Sequence, residues 1–161
     1  MFETKTLDIH DALRVIEAVM SAAEKAEDRT WPGLGICVVD KQGQILAAAR
    51  MDGMAPRFFH AAHRKAYTAA VMERDTRGVI DFWNGQEKQG HRGPADWNDS
   101  MLTTLPGGYV VKHGQNIVGA IGVAGGTLPP FDDDTFAEIA VKALGEGFRH
   151  TPEWEPKAVG N

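Results

Sequence analysis

The sequence predicts an α+β domain in which helices cover an antiparallel sheet. Segments with helical periodicity alternate with short runs rich in β-branched residues, these runs occur in pairs, and only a few turn residues separate the members of a pair. Strands joined by such short turns must be antiparallel. The 161 residues suit one domain. We expect that domain to span residues 1–150, followed by a C-terminal tail at 151–161 that does not pack.

The first element is an amphipathic helix that begins just after Leu7. Asp8 is its predicted N-cap, and the helix is expected to end near Asp28. Its apolar positions recur at steps of three and four residues, at Ile9, Leu13, Ile16, Met20 and Ala23. A β-hairpin follows, with strands predicted at 33–39 and 44–51 around a short polar turn.

Two more helices and a second hairpin complete the prediction. Pro56 opens an alanine-rich helix over 57–73, because alanine loses no side-chain entropy in a helix. An irregular stretch then leads to a hairpin with strands at 109–112 and 117–124. The last helix is predicted over 132–148 and carries acidic residues in its first turn.

Composition and charge exclude several classes of partner. The net charge of −5 argues against binding to nucleic acid or to an anionic membrane. The longest uncharged run, Gly114 to Phe131, contains five glycines and two prolines, so a transmembrane helix is not expected. The N-terminus has no basic cluster leading into an apolar run, and Cys37 is the only cysteine. We therefore expect a cytoplasmic protein without an internal disulfide.

Six short motifs occur in an order that is typical of a known family. They are Val-Val-Asp40-Lys-Gln-Gly43, Ala-Arg50-Met-Asp52-Gly53, Lys65-Ala-Tyr-Thr68-Ala-Ala, Pro106-Gly107-Gly108-Tyr, Val118-Gly119-Ala-Ile-Gly122-Val-Ala-Gly125-Gly and Asp132-Asp-Asp. Over roughly 7–148 the chain resembles the GlcG/HbpS-like haem-binding family. The resemblance implies an α-β-α sandwich with a profilin-like antiparallel sheet, usually in a homo-oligomer. It also implies haem as a cofactor, although many relatives sit in catabolic operons without an assigned reaction.

Lys65 interrupts an apolar stripe on the second predicted helix. The other members of the stripe are Phe58, Ala62, Ala69 and Met72. Lys65 could hold an anionic group of a ligand or act as a catalytic base, and it belongs to a motif of the resembled family. Alternatively, its stem covers the edge of the core while the ammonium reaches water. A third interpretation makes it the ion-pair partner of Asp40 or Asp52.

Two histidines on the same helix are candidate ligands of iron. His60 and His63 lie one turn apart, and either imidazole could coordinate haem iron while Arg57 and Arg64 bind the propionates. The same spacing could hold another metal together with a carboxylate from elsewhere, and His63 could act as a catalytic residue beside Lys65. The alternative is a solvated helix face, and the resemblance does not include these histidines.

The segment 82–100 departs from the resembled family by being polar and aromatic. His91, Arg92 and Trp97 could close over a small molecule as a lid, because loops on rigid scaffolds commonly carry binding groups. The same side chains suit an oligomer contact. Gly107 and Gly108 are expected to permit close approach of the backbone to a ligand or to another subunit.

Three functions remain open at this point. The first is a small-ligand-binding protein that takes haem or a related tetrapyrrole, as the resemblance implies. The second is a catabolic enzyme that performs isomerisation, hydration or hydrolysis on a small carboxylated substrate, because cationic and imidazole side chains are concentrated at Arg50, Arg57, His60, His63, Lys65, His91 and Arg92. The third is a non-catalytic assembly protein, which would use the polar segment only for contacts.

Overall fold

The computed structural model describes residues 4–26 and 33–157. The strands in this part of the chain are β1 (Gly35–Asp40), β2 (Ile45–Arg50), β3 (Gly108–His113), β4 (Asn116–Ala124) and β5 (Phe148–Arg149). The helices are α1 (Ile9–Lys25), α2 (Pro56–Val71), α3 (Thr76–Lys88), α4 (Pro94–Trp97) and α5 (Asp133–Ala143). The five strands form one antiparallel sheet in the order β2-β1-β4-β3-β5. The predicted α+β class and both hairpins are confirmed.

Helices cover both faces of the sheet. Side chains alternate along β1, so that Ile36 and Val38 join a core with α1 and α5 while Cys37 and Val39 join a core with α2. Burial raises the pKa of the Cys37 thiol to about 12, so the thiol stays protonated. This arrangement is the α-β-α sandwich that the resemblance implied.

The first helix begins as its sequence predicts. The Asp8 carboxylate accepts a hydrogen bond from the backbone N–H of Asp11, and the Asp11 carboxylate accepts one from the N–H of Asp8. This capping box satisfies two helix-end donors, because each side chain serves the other residue's backbone. The helix ends at Lys25, and the predicted end near Asp28 lies outside the described residues.

Three glycines allow α2 to lie directly on the sheet. A Cβ atom added to Gly122 would lie 1.9 Å from the carbonyl oxygen of Ala62, and one added to Gly108 would lie 2.4 Å from that of Lys65. Gly35 is similarly close to α2, and Gly122 pairs with Gly108 across the ladder. Any larger residue would push the helix away. The close approach expected at Gly108 is therefore made by the backbone of α2, and Gly122 makes a contact of the same kind.

The stretch predicted to be irregular contains a helix, which corrects the sequence-based expectation. Helix α3 buries Val79 and Trp83, which are four residues apart, against Met72 and Leu102. Its exposed positions Arg77, Asp81, Asn84 and Lys88 recur at helical steps. Two glycines and few apolar residues conceal this periodicity in the sequence.

The last helix is shorter than predicted. It ends at Ala143 instead of continuing to Phe148. Gly145 and Gly147 adopt φ values of 100° and 87°, in the left-handed region that stops a helix and favours glycine. Phe148 then enters the short strand β5, which pairs with β3.

The segment Thr151–Lys157, called the strap below, makes contacts that the prediction of an unpacked tail did not include. Thr151 is buried, and its carbonyl oxygen accepts a hydrogen bond from the N–H of Asp75. The Glu155 carboxylate pairs with Lys112 and Arg149. These hydrogen bonds at Lys112 and Arg149 hold the pKa of Glu155 down at about 2. The strap is thus fixed along the edge of the sheet by polar contacts.

Within residues 4–26 and 33–157, no helix is long and apolar enough to cross a bilayer.

Candidate functional site

Lys65 is buried in an ion pair between α2 and α5. Its ammonium lies 2.6 Å from Oδ2 of Asp133 and donates to the carbonyl oxygen of Val123 at 2.8 Å. The residue is only 3% exposed, so the stem does not carry the ammonium to water. The partner is Asp133, which corrects the suggested pairing with Asp40 or Asp52. The Asp40 carboxylate instead accepts backbone N–H bonds within its own turn.

The two acids at the start of α5 make matching contacts. Oδ1 of Asp133 accepts the N–H of Gly126, and Oδ1 of Asp134 accepts the N–H of Gly107. The other oxygen of Asp134 pairs with Arg77 of α3, as that of Asp133 pairs with Lys65. Each carboxylate therefore joins one cation to one glycine-containing loop, and the pair fastens both loops to α5.

The outward face of α2 carries the predicted imidazoles. His60 is exposed and His63 is half-buried. No ring nitrogen of either histidine has a hydrogen-bond partner within the described parts of the chain. The pKa of His63 is lowered, first by burial and second by the nearby charge of His60. His63 is consequently neutral at neutral pH, which leaves a ring nitrogen lone pair available for coordination.

The arginines around these histidines differ in their contacts. Arg57 is exposed, its guanidinium lies 4.8 Å from the centre of the Phe58 ring, and it forms no ion pair among residues 4–26 and 33–157. Arg64 donates to the carbonyl oxygens of Ser100 and Leu102, and thereby ties α2 to the segment after α4. Arg57 is thus the cation beside His60 that is free to meet an anion.

The remaining predicted site residues lie in three places. Arg50 donates to the carbonyl oxygen of Met54 at 2.6 Å, just before α2. Gly107 and Gly108 are buried beside Lys65, and both N–H groups bind side chains of this chain. His91 and Trp97 line a separate cavity of about 100 Å³ between α3 and α4. The structure therefore joins Lys65 to the two glycines, but not to the polar segment.

The polar segment around α4 is held by local contacts. Arg92 donates through Nε to the carboxylate of Asp96 at 2.9 Å. Trp97 is half exposed and meets Phe82 edge to face, with ring centres 6.4 Å apart. Whether His91, Arg92 and Trp97 form a lid or an interface stays a prediction.

A buried acid and an imidazole that the sequence did not single out form a pair beside the part of β3 that β5 does not reach. Asp75 is 3% exposed, and its carboxylate accepts the N–H of Val110 and contacts Nδ1 of His150 at 2.7 Å. Burial raises the pKa of Asp75, against the lowering effect of His150. The hydrogen bond to Asp75 raises the pKa of His150, whose ring stacks on Tyr109. Because 75 residues separate the partners, no local sequence pattern indicates this pair.

Potential metal ligands are dispersed in the part of the chain that the structure describes. Within it, no group of three or more histidine, cysteine, aspartate or glutamate side chains is placed to hold a metal ion. The metal role predicted for His60 and His63 together with a carboxylate from elsewhere therefore finds no third ligand there.

Comparison with known proteins places this architecture in a family. The model of the haem degrading protein HbpS-like family matches residues 7–142. The GlcG protein of Escherichia coli strain K12 is 34% identical over 112 residues, which cover 69% of this chain and 78% of that protein. The match to the family model therefore extends from just before the first helix nearly to the end of α5.

Solved structures agree with the sequence comparison. A double mutant of HbpS from Streptomyces reticuli has a TM-score of 0.72 and 27% identity, covering 91% of this chain and 92% of that one. The crystal structure of a complex of PduOC with haem has a TM-score of 0.70 and 23% identity, covering 86% of this chain and 94% of that one. The latter likeness shows the fold alone. Fold, motifs and sequence identity agree, and the chain belongs to the HbpS-like family.

Proposed function

We propose that this protein binds haem on the outward face of α2, with His63 as the residue that would hold the iron. The observation that carries the proposal is the pair of imidazoles one turn apart, neither of which has a hydrogen-bond partner among the described residues. Haem iron commonly takes a neutral imidazole as its proximal ligand. The lowered pKa of His63 keeps that form available at neutral pH.

The charged groups around the two histidines suit a porphyrin with acidic side chains. Arg57 is an exposed cation without an ionic partner among the described residues, so it can meet a propionate without breaking an existing ion pair. Arg64 is already bound to two carbonyl oxygens and serves to hold the neighbouring segment. We assign Arg57 to the propionate and Arg64 to positioning.

The family supports the choice of ligand, since it is described as that of a haem degrading protein. PduOC, which shares the fold, has been crystallised with haem. When bound, haem would supply redox chemistry, whereas this chain would supply the imidazole, the cation and the rigid helix that carries them. Lys65 has no part in this proposal because Asp133 and Val123 already occupy its ammonium.

Titration with hemin tests the proposal. We expect a saturable Soret band in the wild type, a shifted band and at least tenfold weaker binding in His63→Ala, and a smaller change in His60→Ala. His10→Ala is the matched control, because His10 is an exposed histidine on α1. If the wild-type spectrum stays that of free hemin, haem binding is wrong and the catabolic-enzyme alternative takes its place.

We also propose that the protein forms a homo-oligomer. Strand β2 lies at an edge of the sheet, and none of its residues is fully buried. Ile45, at its start, is 46% exposed. An open strand edge with apolar side chains is a template for pairing with another copy. Light scattering at micromolar concentration should give the mass of several subunits, and a species of 17.5 kDa alone would contradict the proposal.

A further inference from the structure

A second cavity lies between α3 and the strap, away from the outward face of α2. Its volume is about 330 Å³, near the lower end of the range for small-molecule sites. Two aromatic side chains line it, Phe82 from α3 and Trp154 from the strap. The Trp154 indole is half exposed, and its Nε1 donates to the carboxylate of Glu73 at 3.1 Å. This hydrogen bond fixes the ring without using its face.

Arg74 contributes a guanidinium with unused donors to the same cavity. The guanidinium lies 4.8 Å from the centre of the Phe82 ring, and its Nε donates to the carbonyl oxygen of Met72. Neither terminal nitrogen has a hydrogen-bond acceptor among residues 4–26 and 33–157. Burial lowers the pKa of Arg74, against a smaller raising effect of the neighbouring Glu73 carboxylate, so the guanidinium is partly removed from water. A planar carboxylate would complete this site, because two parallel N–H groups can bind it.

Two acids complete the lining and restrict the ligand further. Asp81 and Glu153 line the cavity, and their carboxylates have no cationic partner among the described residues. A ligand with only a carboxylate would be repelled by both. A ligand that also carries an ammonium group would pair with them while its carboxylate meets Arg74.

The position of the strap makes this cavity a fixed feature of the fold. The carbonyl oxygen of Pro152 would lie 1.5 Å from a Cβ atom added to Gly78, so only glycine permits this contact. Glu73 adopts a φ of 58°, a backbone conformation that residues with a side chain rarely adopt. Its carboxylate binds both Trp154 and Lys157 of the strap. The aromatic wall from the strap is therefore held by contacts at three points along the chain.

We propose that this cavity binds a small aromatic zwitterion, such as an aromatic amino acid. Its ring would lie between Phe82 and Trp154, its carboxylate on Arg74, and its ammonium beside Asp81 and Glu153. Aromatic rings and a guanidinium next to two free carboxylates match all three parts of such a molecule.

Calorimetric titration with four probes tests the proposal on the full chain. L-Phenylalanine carries the ring and both charges, L-alanine lacks the ring, 3-phenylpropionate lacks the ammonium, and phenethylamine lacks the carboxylate. We expect L-phenylalanine to bind at least tenfold more tightly than each of the others. Equal or tighter binding of any other probe, or no measurable binding of L-phenylalanine, would overturn the proposal.

Two variants then assign the binding to this cavity. Arg74→Met keeps the stem of the side chain and removes the guanidinium, and Trp154→Leu removes the aromatic wall from an exposed position. Each should weaken L-phenylalanine binding at least tenfold, with an unchanged circular dichroism spectrum. Lys88→Met, which removes an exposed cation at the end of α3 outside the cavity, should leave affinity unchanged. Unchanged affinity in Trp154→Leu would show that the molecule binds elsewhere and would overturn the assignment.

Discussion

The inner and outer faces of α2 differ in whether their charged side chains have partners within the protein. On the inner side, Lys65 is buried and its ammonium is bound by Asp133 and a carbonyl oxygen. On the outer side, Arg57 and His60 are exposed and have no ionic partner among the described residues. The sequence motif draws attention to the inner lysine, yet the unsatisfied groups lie outside. A charged residue in an apolar stripe can thus be structural, whereas the groups free to bind a ligand lie on an ordinary polar helix face.

Removal of the inner charge should have the largest effect. Lys65→Met leaves the Asp133 carboxylate, whose side chain is 19% exposed, without its cation. We expect the free energy of unfolding to fall by about 3 kcal/mol, because breaking a buried ion pair strands the other charge. Urea denaturation measures this loss.

An exposed ion pair provides the control for Lys65→Met. Lys142 pairs with Glu138 on the surface of α5, with side chains 75% and 49% exposed. Lys142→Met should change the free energy of unfolding by about 0.5 kcal/mol or less, because water screens such pairs. Equal effects of the two substitutions would contradict the prediction that the buried Lys65–Asp133 pair stabilises the fold more than an exposed pair does.

Lifting α2 from the sheet should have the next largest effect. A methyl group at Gly122 would meet the carbonyl oxygen of Ala62 at 1.9 Å, so the helix must shift as Gly122→Ala folds. We expect a loss of about 2 to 3 kcal/mol, since overfilling a packed interior forces backbone movement. If Gly122→Ala unfolds at the same urea concentration as the wild type, the close contact is not essential.

The Asp75–His150 pair should make stability depend on pH. Since the folded state raises the pKa of His150, the pair's stabilisation is present below about pH 6.5 and is lost as the pH rises through the folded-state pKa. The acids facing His150 are Asp75, Asp134 and Glu138. Wild type should therefore exceed His150→Gln in unfolding free energy by about 1 kcal/mol more at pH 6 than at pH 9. A gap that does not change with pH would contradict this prediction.

The smallest expected effect is a gain in stability at another glycine. Gly85 lies within α3, and a Cβ atom added there would meet nothing within 4 Å apart from its neighbours and the backbone of its own helix. Gly85→Ala should raise the free energy of unfolding by about 0.5 to 1 kcal/mol, because alanine is the better helix former and reduces the entropy of the unfolded chain. Thermal melting should show a higher midpoint, in contrast to Gly122→Ala.

Local sequence patterns predicted the elements that are set by interactions between residues close together in the chain. Asp8 capped α1, and turn residues separated the strands of both hairpins, because these interactions span only a few positions. Helix α3 was missed because its apolar face is narrow, although the polar positions from Arg77 to Lys88 carry a helical period.

Contacts between distant positions had no comparable signal. Lys65 and Asp133 are 68 residues apart, and many other carboxylates were equally eligible as the partner of Lys65. By contrast, the shared outward face of His60 and His63 followed from helical geometry alone. The predicted candidate residues on α2 therefore lie on two sides of that helix instead of in one pocket.

The contact between α2 and its three glycines has a mechanical consequence. Side chains usually separate a helix from a sheet, and their rotamers can absorb a small displacement of either layer. Here carbonyl groups of α2 rest on strand backbone at Gly35, Gly108 and Gly122, where no rotamer can adjust. A force applied to the outer surface of α2 is therefore passed to three strands at once. The helix and the central strands should therefore move together as one rigid unit. A displacement of α2 caused on its outer face would then also displace the helices on the opposite face of the sheet.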